Sequence, residues 1–287
     1  MANLKELRNR IASVSSTMQI TSAMKMVSAA KLSKAQEAIV QMRPYAEKLS
    51  ELLQNLSASL DDDANNVYAE QRPVKKVLAV AIASNRGLAG AFNSNIIKAT
   101  KELQDSTFRD TQIDIITIGK KANDILSKTM SVVENHSSLF DSLTYANVAD
   151  IASSLMAEFT SGNYDKIVLV YNKFKNAGTQ IVTTEQFLPI LPLVTEENAN
   201  SVDYIFEPEK EDIIKELIPK SLKIQLYKAV RDSFASEHGA RMTAMHKATD
   251  NATELRNSLK LSYNKARQAS ITNEILEIVG GAEALNG

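Results

Sequence analysis

Residues 84 to 90 read Ser-Asn-Arg-Gly-Leu-Ala-Gly and stand between an apolar run, Val77 to Ala83, and a helical pattern that begins at Asn93. A glycine-bearing turn between a strand and a helix is where α/β folds hold phosphate, because the first amides of a helix point outward there. The residue types argue against that use. The stretch has no G-x-G-x-x-G and no G-x-x-x-x-G-K-[ST], and no acidic residue of the right spacing ends the next strand. The alternative is a structural turn, in which Gly87 and Gly90 give the backbone freedom while Arg86 and Asn93 hold it in place.

Other chemistry-bearing residues are sparse. His136 stands near a loop, and His238 and His246 lie eight apart on one helix, too few ligands for zinc. Asp61-Asp62-Asp63 lacks the spaced ligands and terminal glutamate of a calcium loop. There is no G-x-S-x-G and no carboxylate pair at strand ends, so no catalytic residue, cofactor site or metal site is assigned. The chain has no cysteine, which excludes disulfides and thiolate chemistry. Arg241, Lys265, Arg267 and Gln268 are polar groups on a helix otherwise built of small residues. They read either as a solvated face or as donors aimed at the carboxylates of a partner, for which arginine's planar fork is suited.

The elements that carry these residues are unusually long. Ser221 to Val279 contains one glycine, Gly239, and no proline, and it ends at Gly280-Gly281, where a helix stop is expected. Pro208 with Glu209, Glu211 and Asp212 supplies the proline and negative charge of a helix start, with an interruption at Pro219 left open. Met242, Met245, Thr249, Ala252, Leu259 and Ala266 keep near three-four spacing, and Ile271, Ile275 and Ile278 continue it after a slip. Asn3 to Arg43 has neither glycine nor proline. Leu4, Leu7, Ile11, Val14 and Met18 keep the same spacing, Met24 and Val27 follow a slip, and Leu32, Ala35, Ile39 and Met42 resume it. Pro44 should kink this helix, yet Tyr45, Leu49, Leu52 and Leu56 extend it to about residue 60.

Between the two helices the pattern changes. Strands are expected at Val77 to Ala83, Ile113 to Ile118, Ser131 to Val133, Lys166 to Tyr171 and Thr179 to Phe187. Helices are expected at Asn93 to Leu103, with Asn93 as cap, Lys120 to Lys128 and Asn147 to Phe159. Near-continuous apolar strands alternating with helices indicate a mainly parallel sheet covered on both faces. The fold class is therefore α/β: a long antiparallel coiled coil of the terminal helices with an inserted Rossmann-like domain, divided as 1–60, 61–207 and 208–287. Two helices leaving one domain must run antiparallel, and the second should overshoot the first by about 25 Å. Such a rod is incomplete without a surrounding protein.

Charge supports a protein partner. Residues 1–60 carry eight Lys/Arg against four Asp/Glu, residues 61–219 fifteen against twenty-three, and residues 220–287 ten against seven. No basic stripe with interleaved aromatics appears, so nucleic acid is not expected as a partner. No apolar run reaches membrane-span length, and the start lacks the apolar core of a signal peptide.

Lys5 to Leu32 (KELRNRIASVSSTMQITSAMKMVSAAKL), the turn SNRGLAG, ASEHGARMTAMHKATDNA and YNKARQASITNEILEIVGGAEAL together resemble the γ subunit family of F-type ATP synthases. The resemblance is dense over both terminal helices and thin over the middle. It implies a central rotor shaft inside a hexamer of α and β subunits, with the α/β domain beside the ε subunit on the c-ring, at the cytoplasmic face of the cell inner membrane. Met24, Arg241, Arg267, Gln268 and Thr272 would face the catalytic hexamer, and Tyr204, Phe206 and Glu207 the c-ring and ε. Asn85, Ala89, Gln19 and Ser22 depart from the residues common in the family. The competing reading is a nucleotide-binding α/β enzyme that the terminal helices merely dimerise.

Overall fold

The computed structural model describes residues 4–57, 67–109, 111–190 and 210–286. Among them are five strands and five α-helices, in the order α1 (Leu4–Ser57), β1 (Lys76–Ile82), α2 (Phe92–Glu102), β2 (Gln112–Ile118), α3 (Lys120–Leu126), β3 (Ser131–Asn135), α4 (Tyr145–Thr160), β4 (Lys166–Asn176), β5 (Thr179–Leu188) and α5 (Lys210–Asn286). The chain divides into two compact units. One joins α1 up to Ser28 with α5 from Met242 onward, and the other is Ala29–Arg241.

The larger unit is built on one five-stranded sheet of order β3-β2-β1-β4-β5, parallel except for the β4–β5 hairpin. Successive strand residues face opposite ways, and β1 shows what that does to its sequence. Leu78, Val80 and Ile82 enter a core with α4 and with Ile218, Leu222, Leu226, Ala229 and Val230 of α5. Val77, Ala79, Ala81 and Ala83 enter a second core with Ile96 and Ile97 of α2 and Ala122 and Leu126 of α3. A central parallel strand covered on both faces has no polar side to display, which is why it reads as an unbroken apolar run. Thr144 caps α4 by accepting a hydrogen bond from the amide of Asn147 at 3.3 Å. Asn93, expected to cap α2, lies inside its first turn and is used elsewhere.

The smaller unit contains only helix. Its covered positions include Leu4, Leu7, Ile11, Val14, Met18, Thr21, Lys25 and Ser28 on α1, and Met242, Met245, Thr249, Ala252, Arg256, Leu259, Tyr263, Ala266 and Ser270 on α5, with Ser15, Ser22, Met24, Thr243, Ala244, Ala248 and Thr253 half-buried beside them. Both of the first-named sets step by three and four without interruption, so the seam needs no slip; of the residues expected after one, Met24 is half-buried and Val27 is exposed. Polar residues occupy the seam where apolar ones were sought. Thr21 and Thr249 share a hydrogen bond of 2.8 Å, Arg8 donates to the Tyr263 hydroxyl at 3.0 Å, and Met26 and Val27 face outward. Beyond Ser270 every α5 residue up to Ala282 is exposed, Ile271, Ile275 and Ile278 included.

Neither Pro44 nor Pro219 ends its helix, and α5 runs through Gly280-Gly281 to Asn286. The expected glycine stop fails because neither residue adopts a left-handed φ, and nothing crowds a Cβ at either position. A glycine inside a helix costs only about 1 kcal/mol relative to alanine.

Candidate functional site

In open α/β sheets ligands bind outside the carboxyl ends of the strands, where adjacent strands send their connections in opposite directions. Here that point lies between β1, which leads to β2 through α2, and β4, which is reached from β3 through α4. The turn Ser84–Gly90 follows β1 at this edge. Its polar groups are turned onto the protein itself. Asn93 Oδ1 accepts from the Ser84 amide at 3.0 Å and lies 2.9 Å from the Ser84 hydroxyl, which also reaches the Arg86 carbonyl at 2.7 Å. The first amides of α3, which could have met an anion, are already occupied. Lys120 N donates to Asn85 Oδ1 at 2.9 Å and Lys121 N to the Ser84 carbonyl at 3.0 Å. Asn85 Nδ2 also donates to the Ser137 carbonyl at 2.8 Å, so Asn85 ties three loops together. Gly90 is left-handed at φ 58°, and Leu88 takes the same region at φ 61° although its side chain is exposed.

The crevice itself is filled by α5. Ser233 Oγ donates to the Ile82 carbonyl at 3.4 Å and Ser236 Oγ to the Asn172 carbonyl at 2.9 Å. Asn172 in turn donates from Nδ2 to the Phe92 carbonyl at 3.2 Å. Ala240 packs with Ala89 and Phe92. At Gly239 an added Cβ would stand 3.2 Å from both the Cα and the carbonyl oxygen of Ala177, so the helix backbone and the β4–β5 turn nearly touch. Small residues and serine hydroxyls on one stretch of helix thus meet the carbonyls of Ile82, which ends β1, and of Asn172 within β4.

Arg241 completes the contact. It is only 6% exposed. Its Nη1 pairs with Glu237 Oε1 at 2.6 Å, Nε donates to the Gly87 carbonyl at 3.3 Å, and Nη2 reaches the carbonyls of Arg86 and Gly87 at 3.1 and 3.3 Å. Burial pushes the Glu237 carboxyl above its ordinary value, with the Arg241 charge opposing. Next to them His238 stands edge-on to Phe234 with ring centroids 4.5 Å apart. Its Nδ1 lies 3.4 Å from Arg241 Nη1, and its Nε2 is buried without a hydrogen-bond partner. Burial, followed by the charges of Arg241 and Lys31, depresses the imidazole to about 4.

The ATP synthase family model matches residues 3–285. The chain is 71% identical over 287 residues to the ATP synthase gamma chain of Flavobacterium johnsoniae, 54% identical over 294 residues to that of Cytophaga hutchinsonii and 44% identical over 288 residues to that of Geotalea uraniireducens, with all of each chain covered. This chain belongs to the ATP synthase gamma chain family. Among solved structures, a chain of the Euglena gracilis mitochondrial ATP synthase rotor matches with a TM-score of 0.67 and 21% identity, covering 93% of this chain and 98% of that one. At that identity the likeness speaks for the fold.

Arg267, Gln268 and Thr272 are exposed on α5, and Met24 is half-buried on α1. Arg241 is not on an outward surface as expected, because its donors are taken by Glu237 and the turn carbonyls. Arg86 holds the turn through its carbonyl rather than its exposed side chain. Tyr204, Phe206 and Glu207 lie outside the described residues, as do Asp61-Asp62-Asp63. His246 pairs with Asp250 at 3.3 Å and His136 with Glu134 at 2.9 Å, both on the surface. No group of three or more His, Cys, Asp or Glu able to hold a metal occurs among the described residues. Sequence reasoning missed Ser233, Ser236 and Asn172. Ser233 and Ser236 left only one signal, their place among small residues on the same stretch of helix as Gly239.

Proposed function

We propose that this chain is the central rotor shaft of an F-type ATP synthase, coupling proton flow through the membrane ring to ATP synthesis and hydrolysis in the catalytic hexamer. The observation that carries this is end-to-end identity with bacterial gamma chains, 71% with all of both chains covered in the Flavobacterium case. The seam of the helical unit supports it. From Arg8 to Thr21 the first helix advances thirteen residues while the matching partners, Tyr263 to Thr249, go back fourteen. That opposed advance supports reading the two terminal helices as an antiparallel coiled coil. From the Arg8–Tyr263 contact α1 has four residues left to Leu4 and α5 twenty-three to Asn286, so α5 outruns α1 by nineteen residues, or about 28 Å.

The shaft comprises 1–60 and 208–287, and the foot 61–207. Met24, Arg267, Gln268 and Thr272 face the α and β subunits, while Tyr204, Phe206 and Glu207 serve the c-ring and ε. The chain does no chemistry of its own and joins the cytoplasmic face of the inner membrane only through the complex; no helix among its described residues is long and apolar enough to cross a membrane. The competing nucleotide-enzyme reading loses its site, because α5 occupies the crevice where a nucleotide would lie. Expression of this chain in cells deleted for their gamma chain tests the proposal. Co-purification with α and β and restored ATP-driven proton pumping are expected, and an assembled hexamer that excludes the chain would refute it.

A further inference from the structure

Ser236 and Arg241 reach for backbone acceptors from different sides of α5. At about 100° per residue their side chains leave the helix about 140° apart. Ser236 goes to β4 and Arg241 to the β1–α2 turn, while Gly239 seats the helix backbone against Ala177. A helix gripped on one side can roll by choosing new rotamers. One gripped on two sides, with its backbone seated on the β4–β5 turn, cannot roll without breaking hydrogen bonds. Glu237 sharpens the grip by taking one amino group of Arg241, which aims the remaining two donors at two successive carbonyls. Arginine is required for this. The compact ammonium of lysine can pair with Glu237 or meet a carbonyl, but it lacks the fork that holds all three. Arg241 is also the last α5 residue of the sheet unit, after which the same helix continues unbroken to Asn286.

We infer that Ser236, Glu237, Gly239 and Arg241 form a rotation-locking joint that keys α5 to the sheet, so that torque carried by either is delivered to the other. The inference rests on the rotor reading and makes Arg241 a positioning residue rather than a contact with the catalytic subunits. Filling the ligand crevice with helix is what gives the joint its backbone acceptors.

The test uses the complete synthase in membrane vesicles with this chain as its shaft subunit. ATP hydrolysis and ATP-driven proton pumping are measured together, first with a protonophore and then against an imposed proton gradient. Arg241→Lys and Ser236→Ala should leave unloaded hydrolysis unchanged and lower the protons pumped per ATP under load, for Arg241→Lys to less than about half, since Arg241 holds the turn by charge-assisted bonds. Leu155→Ala, buried in the sheet core on α4, serves as a destabilised control and should keep the loaded ratio. A ratio that stays normal in both joint variants, or that falls equally in the control, overturns the joint. Should Arg241→Lys fail to assemble, Ser236→Ala decides the question on the same ratio. Failure of the unaltered chain to support pumping would instead remove the rotor reading itself.

Discussion

His238 makes the sheet unit sensitive to mild acid, and the effect can be isolated by replacing it with phenylalanine. The ring is 5% exposed, sits edge-on to Phe234, and faces the cations Arg241 and Lys31 with Glu237 and Arg86 in the same cluster. With Nδ1 accepting from Arg241, the neutral tautomer carries its proton on Nε2, which has no acceptor. The folded protein therefore holds the imidazole neutral down to about 4, whereas the unfolded chain takes up a proton at its ordinary 6.5. Below 6.5 the unfolded state binds more protons, so stability falls as pH falls, and the loss levels off below about 4 when the folded form is protonated too. A shift of that size amounts to about 3 kcal/mol in full, of which about 2 kcal/mol is lost between pH 7 and pH 5. Glu237 works in the opposite sense. Its raised carboxyl pKa lets the folded state hold a proton that the unfolded chain releases, so its contribution declines as pH rises above 4.5. Both proteins retain Glu237, so the comparison cancels it to first order. Urea unfolding followed by circular dichroism, at pH 7 and pH 5, should show wild type losing about 2 kcal/mol more than His238→Phe. An equal loss in the two proteins would refute the reasoning.

Gly119 has φ 120°, and a Cβ there would stand 2.6 Å from the Ala83 carbonyl oxygen, so Gly119→Ala should cost about 3 kcal/mol or more and lower the melting temperature of the isolated chain. Thr21→Val or Thr249→Val alone should cost about 1 kcal/mol by removing the bond between the two hydroxyls, although the remaining one keeps its own helix carbonyl, and the double replacement should cost less than the two singles together; additive losses in chemical denaturation would mean that the pair does not interact. Arg267→Ala and Gln268→Ala lie on exposed helix and should change stability by no more than about 0.5 kcal/mol, while lowering coupled ATP hydrolysis in a reconstituted complex; unchanged coupling would favour a passive scaffold.

The sheet was legible because its strands announce themselves. β1 carries a continuous apolar run and β2 one broken only by the buried Asp114 and Thr117, and the expected Val77 to Ala83 and Ile113 to Ile118 fall within one residue of the observed strands. β5 likewise ends one residue past the expected Phe187, whereas β4 runs to Asn176, beyond the expected Tyr171, since that outer part pairs only with β5 and its polar residues leave no hydrophobic signal. The long helices were legible from the scarcity of glycine and proline, but their seam was not. Thr21, Lys25, Ser28, Arg256 and Tyr263 occupy covered positions that an apolar template skips, so an unbroken heptad looked like one with slips. Arg241 could not be placed from local sequence because two of its partners, Arg86 and Gly87, lie more than 150 residues away. Glu237, one helical turn before it, was the one nearby sign that its charge had an internal destination.

That distant contact also explains why a phosphate-binding turn and a structural turn are hard to tell apart by residue type. Both need glycine at a left-handed position, a strand before and a helix after, and Gly90 meets that requirement here. The difference lies in what the outward-facing polar groups meet. A ligand site keeps helix amides free for an anion, whereas here the amides of Lys120 and Lys121 are bound to Asn85 and Ser84. A ligand site also keeps the strand ends open, whereas here Ser233 and Ser236 occupy the carbonyls of Ile82 and Asn172. Because the occupant is the chain's own helix, release of the crevice would expose buried carbonyls, the Arg241–Glu237 pair and the apolar contact of Ala240 with Phe92 together. The cost of undoing one contact is thus tied to the others, and a fold that elsewhere exchanges ligands is here committed to holding a helix.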